Sequence, residues 1–153
     1  MGAGKNMCEV SFLALSENES FARLAASAFV LPLNPTVEEL ADIKTAISEA
    51  VTNAILHGYN QDGKGIVTMR CERDENRLTF VVKDSGVGIE NVEKAMEPLY
   101  TSKPELERSG MGFSFMEAFM DALSVESSPG NGCKVTMQKY ICPLHTGEAS
   151  DAD

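Results

Sequence analysis

Three polar residues, Asp74-Glu75-Asn76, join two segments of alternating apolar and polar side chains at 66–73 and 77–83, and so short a connection makes the pair an antiparallel hairpin. A second hairpin is expected from residues 123–127 and 133–141, folded about Ser128-Pro129-Gly130-Asn131-Gly132. An earlier strand is expected over 9–15, where Val10, Phe12 and Ala14 alternate with polar neighbours. Helices fill the intervals. Ser16-Glu17-Asn18-Glu19 has the spacing of a capping box ahead of Phe21, Leu24, Ala25 and Ala28, with Pro32 as the stop. Thr36-Val37-Glu38-Glu39 is a second such box, opening a longer helix with Leu40, Ile43, Ile47, Val51 and Ala54 on one stripe and Gly58 as its stop. A short helical stretch over 90–96 and a helix over about 111–122, with Phe115, Met116 and Phe119 at core spacing, complete the set. Strands in local hairpins separated by helices imply an α/β (α+β) two-layer sandwich: helices on one face of a mixed, largely antiparallel sheet. The other sheet face then needs cover, which a second subunit would supply.

At 153 residues, 43% hydrophobic and 24% charged, the chain has the size and composition of one folded domain. The domain is expected over 9–142, with residues 1–8 a flexible start and 143–153 a disordered acidic tail. Thirteen Lys and Arg against 23 Asp and Glu give a formal charge of −10. Nucleic acid and anionic membranes, which demand a basic footprint, are therefore excluded as direct targets. Cys8, Cys71, Cys133 and Cys142 are too scattered for a zinc or redox motif and read as reduced thiols. With no secretory leader and no apolar run of about 18 residues, a cytoplasmic protein is expected. Gly2-Ala3-Gly4-Lys5 resembles the end of a phosphate loop, but it lacks a preceding strand, and Asn6 stands where a magnesium-binding hydroxyl belongs.

Three groups of residues carry possible chemistry. On the long helix, Glu49 and Asn53 lie about 40° apart, on the side opposite the apolar stripe. Such a pair is ordinarily a solvated face; functionally it combines a carboxylate base with an amide oxygen suited to a hard cation such as magnesium. Asp84-Ser85-Gly86-Val87-Gly88 follows directly on an apolar strand. Its carboxylate could accept a hydrogen bond from an exocyclic amine such as adenine's, and its glycines admit close approach of a flat ligand, although any strand-to-loop turn can use Asp and Gly. Ser109-Gly110-Met111-Gly112 opens a helix whose unpaired amides suit phosphate oxygens, and Lys103 and Arg108 precede it in an irregular, lid-like segment.

In this order the groups resemble the ATP-binding fold shared by DNA gyrase, heat-shock chaperone ATPases, sensor histidine kinases and mismatch-repair ATPases. Longer strings are more specific. Leu15-Ser-Glu-Asn-Glu-Ser-Phe-Ala-Arg23, Ser48-Glu-Ala-Val-Thr-Asn-Ala-Ile-Leu-His-Gly-Tyr59 and Pro98-Leu-Tyr-Thr-Ser-Lys-Pro-Glu-Leu-Glu-Arg-Ser-Gly-Met-Gly-Phe113 resemble the bacterial sporulation anti-sigma-F factors, which are serine-protein kinases.

The resemblance implies ATP and Mg²⁺ as cofactors, with Glu49 as general base and Asn53 as magnesium ligand. Asp84 would read the adenine amine in a pocket shaped by Gly86 and Gly88, with Thr136 beside the base. Thr101, Lys103, Arg108 and Ser109 would form the lid, and Gly110, Met111, Gly112 and Phe113 would wrap the phosphates. Implied partners are the sporulation sigma factor F, which such proteins inhibit, an anti-anti-sigma factor phosphorylated on serine, and a second copy in a homodimer. Arg23 is the first candidate for partner contact. Two other readings stand beside this one: a histidine-kinase-like ATPase domain, and a binding module that holds ATP without transferring phosphate. A sigma factor must carry basic surface to bind DNA, so part of the acidic surface is expected to face it.

Overall fold

The computed structural model describes residues 4–59, 64–97 and 112–142. Strand β1 (Lys5–Leu13) pairs antiparallel with β2 (Ile66–Asp74), from Lys5 opposite Asp74 to Leu13 opposite Ile66. The strand thus starts four residues before the expected boundary at residue 9, and residues 5–8 belong to the sheet rather than to a flexible start. Met7 and Cys8 stand side by side after Lys5 and Asn6, so those residues show no alternation; the pairing is held by backbone bonds, ending in the Glu75 N–H donated to the Gly4 carbonyl at 2.9 Å.

Helix α1 (Asn18–Val30) follows, without the capping box expected at Ser16–Glu19. The Asn18 side chain instead donates to the Leu13 carbonyl at 2.9 Å, and Glu19 turns to Arg23 at 2.7 Å. A charge-assisted bond to a guanidinium outcompetes a backbone N–H for that carboxylate. Pro32 falls in a 3₁₀ turn, Leu31–Leu33, just past the helix, and Asn34 takes the left-handed conformation that reverses the chain. The second box does form. Glu39 N–H donates to Thr36 Oγ1 at 3.0 Å and Thr36 N–H to Glu39 Oε1 at 2.9 Å, opening α2 (Val37–Asn53). Ile43, Ile47, Val51 and Ala54 are buried as their stripe requires.

Beyond α2 the helix widens into a π turn, Ala54–Gly58. Then come β2, β3 (Arg77–Asp84), a single turn α3 (Val92–Ala95), α4 (Gly112–Phe119), β4 (Ala122–Ser127) and β5 (Cys133–Tyr140). The strand order is β1-β2-β3-β5-β4, and every neighbouring pair is antiparallel. Val67, Met69, Leu78, Phe80, Val82, Val135 and Met137 meet Ile43, Ile47, Val51 and Met116 in the core between sheet and helices. Each such fully buried side chain contributes about 1.5–3 kcal/mol.

The opposite sheet face is mixed in character. It carries Ser11 hydrogen-bonded to Thr68 at 3.0 Å, the Arg70–Glu72 ion pair, and Lys83, Thr136 and Gln138, a largely solvated face on which Met7, Leu13, Ile66 and Tyr140 are exposed apolar side chains. A second exposed apolar group lies on the helix layer: Phe21 (52% exposed) and Leu24 (63%) on α1, with Leu15 just before it. Among the described residues no helix is long and apolar enough to cross a membrane.

Candidate functional site

Strand β3 ends on Asp84, among the described residues the one charged side chain that is buried, at 6% exposure. Burial raises its pKa, opposed by hydrogen bonds from the Gly86 and Cys133 amides, the former at 2.9 Å. The end of the π turn lies flat against this carboxylate: a Cβ on Gly58 would stand 2.9 Å from Asp84 Oδ1. Gly58 therefore does more than stop a helix, since it lets backbone reach the carboxylate. The loop after β3 is in turn clamped to Gly58, whose carbonyl accepts the Val87 N–H at 2.9 Å. Tyr59 closes the side, its hydroxyl accepting from Ser85 N–H at 2.6 Å and donating to the Ile66 carbonyl at 2.9 Å.

At Gly86 an added Cβ would stand 1.9 Å from the Gly58 carbonyl oxygen, a backbone atom with nowhere to move. Gly86→Ala is accordingly expected to cost about 2–4 kcal/mol, a fall in melting temperature of roughly 5–15 °C that thermal unfolding would register. Gly88 is held at φ +79 with space for a Cβ closed by the Ser128 carbonyl at 2.0 Å, which packs the turn between β4 and β5 onto the same loop.

The second half of the site is made by α2 and α4. A Cβ at Gly112 would lie 3.0 Å from Asn53 Nδ2, 3.2 Å from Asn53 Oδ1 and 3.3 Å from Glu49 Oε1, so both side chains converge on the first residue of α4. Helical spacing alone places them on a solvated face; they are in fact half-buried where α4 covers α2. The first residue of α4 thus sits beside a carboxylate and a side-chain amide, and a helix start next to such a pair is suited to phosphate and a hard cation together. Among the described residues no group of three His, Cys, Asp or Glu side chains could hold a metal. The donor set still fits magnesium, which takes one or two protein oxygens and completes its shell with phosphates and water. Phe113 follows Gly112, packed against the core.

Thr136 stands apart from this site. On β5 it alternates with buried Val135 and Met137 and pairs with Val81, on the solvated face, whereas Asp84 shares the parity of buried Phe80 and Val82. Cys133, opposite Asp84 in the register, is the β5 residue that meets this carboxylate, through its backbone amide. Its thiol is pushed up to about 11 by burial and by the Asp84 charge. Counting back by twos from Val135 and Met137 finds it. His57 lies half-buried in the π turn between the two halves. Arg23 is bonded to Glu19 at 2.7 Å and to Ser48 Oγ at 3.3 Å, which fixes it where α1 meets α2, one residue from Glu49. Thr101, Lys103, Arg108, Ser109, Gly110 and Met111 lie outside the described residues.

Residues 12–139 match the model of the histidine kinase-like ATPase domain family. The chain is 58% identical over 135 residues to the anti-sigma F factor of Clostridium acetobutylicum, covering 88% of this chain and 94% of that one. It is 56% identical over 136 residues to the anti-sigma F factor of Thermoanaerobacter sp., covering 89% and 94%. Among solved structures, it resembles the RsbU and RsbW domains of a Mycobacterium tuberculosis protein, with a TM-score of 0.64 at 18% identity, covering 89% of this chain and 32% of that one. The catalytic domain of the histidine kinase ThkA matches with a TM-score of 0.56 at 17% identity, covering 90% and 99%. Identities this low speak for the fold alone.

Proposed function

We infer that this chain, which belongs to the histidine kinase-like ATPase domain family and to the anti-sigma F factors within it, restrains a sporulation sigma factor F and uses ATP to phosphorylate a serine of an anti-anti-sigma protein. An ATP-binding domain and an anti-sigma role follow from the family itself. The serine-kinase step, the magnesium ion, the homodimer and the residue roles are the proposal. One observation carries it: Glu49 and Asn53 converge on the start of α4, while Asp84 lies against Gly58 at the far end of the same helical run. From Glu49 to Gly58 is nine residues, about 13 Å along a helix, enough to separate the base of a bound nucleotide from its terminal phosphate.

In this reading Asp84 accepts a hydrogen bond from the adenine amine, and Gly86 and Gly88 keep the pocket wall thin. Cys133 lines it as a neutral thiol. The amides of Gly110 to Phe113 bind phosphate oxygens, and Thr101, Lys103, Arg108 and Ser109 close over them. Magnesium, held by Asn53 and the phosphates, would neutralise the charge that develops on transfer. Glu49 takes the proton of the attacking serine hydroxyl as its oxygen bonds to the terminal phosphorus and ADP leaves. Arg23, fixed by Glu19 and Ser48, presents its remaining donors to a partner. Phe21 and Leu24 offer apolar surface for association of two copies, and the sigma factor places this chemistry in the cytoplasm.

Incubation with terminally labelled ATP and an anti-anti-sigma protein is expected to give acid-stable label on a serine of that protein. Label on His57 of the chain itself would favour the histidine-kinase reading, and no label at all the binding-module one. Asn53→Ala is expected to weaken ATP binding at least about tenfold with magnesium present and to have little effect in its absence, as read by calorimetry.

A further inference from the structure

We propose that the acidic segment after Cys142 docks, within its own chain, into a cationic groove at the β2–β3 hairpin end of the solvated sheet face. The groove, of about 440 Å³, is lined by Lys5, Arg70, Arg73 and Arg77 with Glu72 and Asp74, over a floor that includes Met7 and Thr79. Four cations against two carboxylates give the lining a charge of +2 in a chain of −10, with Glu9 opposite Arg70 just beyond it, and three of the chain's five arginines gather here. Arg70 pairs with Glu72, and Arg77 with Asp74 at 3.5 Å, yet both guanidiniums are more than 40% exposed. A guanidinium has five N–H donors, so one carboxylate partner leaves capacity for another.

Topology brings an acidic segment to this place. Strand β5 runs beside β3 with Tyr140 opposite Arg77. The Ile141 N–H donates to the Asn76 carbonyl at 2.9 Å and the Asn76 side chain donates to the Ile141 carbonyl at 2.9 Å, tying the end of β5 to the hairpin turn. The chain after Cys142 therefore begins at the groove's end of the sheet, on the α2 side, where the Cys142 N–H donates to Glu39 Oε2 at 3.3 Å, and it reaches the groove around the hairpin turn. Residues 143–153 include Glu148, Asp151 and Asp153 and no Lys or Arg. From β5 across β3 and β2 to β1 is three strand spacings, about 15 Å, whereas these eleven residues span up to about 36 Å when extended. Tethering supplies an effective concentration of the order of millimolar, enough for a contact built on a few charge pairs. The docking is independent of the kinase reading.

Amide chemical shifts of the full chain at low salt test it, against a chain ending at Cys142 and a full-length variant carrying Glu148→Gln, Asp151→Asn and Asp153→Asn. Both variants are expected to shift the amides of Met7, Glu72 and Thr79 in the same direction, leaving those around Asp84 and Gly112 in place. Wild type in about 1 M salt, where screening acts within roughly 3 Å, should match them. Unmoved groove amides would overturn the proposal. So would shifts on truncation that the neutralised variant does not reproduce. A groove that responds only to an added acidic peptide, or in proportion to protein concentration, would assign it to another chain's segment and overturn the intramolecular contact.

Discussion

Asp84→Asn is expected to weaken ATP binding about 100-fold with no loss of thermal stability at neutral pH. A hydrogen bond to a charged acceptor contributes about 1.5–3 kcal/mol, and an amide that turns its NH₂ toward the adenine amine replaces attraction with two opposed donors. Stability moves differently because the carboxylate is buried and its pKa is raised, desolvation outweighing the Gly86 and Cys133 amides. The folded protein thus binds this proton more tightly than the unfolded chain does. The resulting penalty is absent below the unfolded carboxylate value of about 3.9 and grows as pH rises through the higher folded value. Asparagine removes that penalty, so any stability advantage of the variant should appear at neutral pH and vanish on acidification below about pH 4. Calorimetric titration with ATP and thermal unfolding at both pH values would test this. Unchanged affinity would remove Asp84 from the base pocket, and marked destabilisation at neutral pH would make it a structural residue.

Glu49→Gln is expected to slow phosphoryl transfer to the anti-anti-sigma protein about 10²- to 10⁴-fold while nucleotide and sigma-factor binding stay within about twofold. Glutamine keeps the shape that meets Gly112 and removes only the capacity to accept a proton. Single-turnover transfer of labelled phosphate, alongside nucleotide titration, separates the two effects. Equal transfer rates would end the base assignment. Loss of nucleotide binding would mean that Glu49 serves to seat α4 on α2. A binding module without transfer has no need of a base here, so this variant also divides the two readings of the family site.

Much of the fold was legible because its signals are local. The Thr36 capping box, the apolar stripe of α2 and the hairpin before Arg77 each rest on spacing within a few residues, and each is present, the turn itself tightened to Glu75-Asn76 because Asp74 pairs with Arg77. Where local chemistry had a stronger distant competitor, the local reading failed. Glu19 carries the spacing of a capping residue but pairs with Arg23 and bonds to Ser48 on α2. Residues 5–8 look like a loose start yet are ordered by a ladder to β2, a partner about sixty residues away. The resemblance put Thr136 beside the base, but strand parity places it on the face away from Asp84, and Cys133 is the β5 residue opposite that carboxylate.

The order of chemical groups along the chain was determined by the amino-acid sequence alone: a carboxylate and an amide four residues apart on one helix, an Asp-Ser-Gly-Val-Gly loop after a strand, and a glycine-rich helix start. Those groups name the chemistry because residue type sets what can accept a proton, ligate a cation or bind phosphate. Which of them share a site was decided only by the tertiary structure. Glycines at 58, 86 and 112 let backbone and side chains from α2, the β3 loop and α4 approach to contact distance, and steric closure between segments far apart in sequence leaves no periodic trace in the sequence itself.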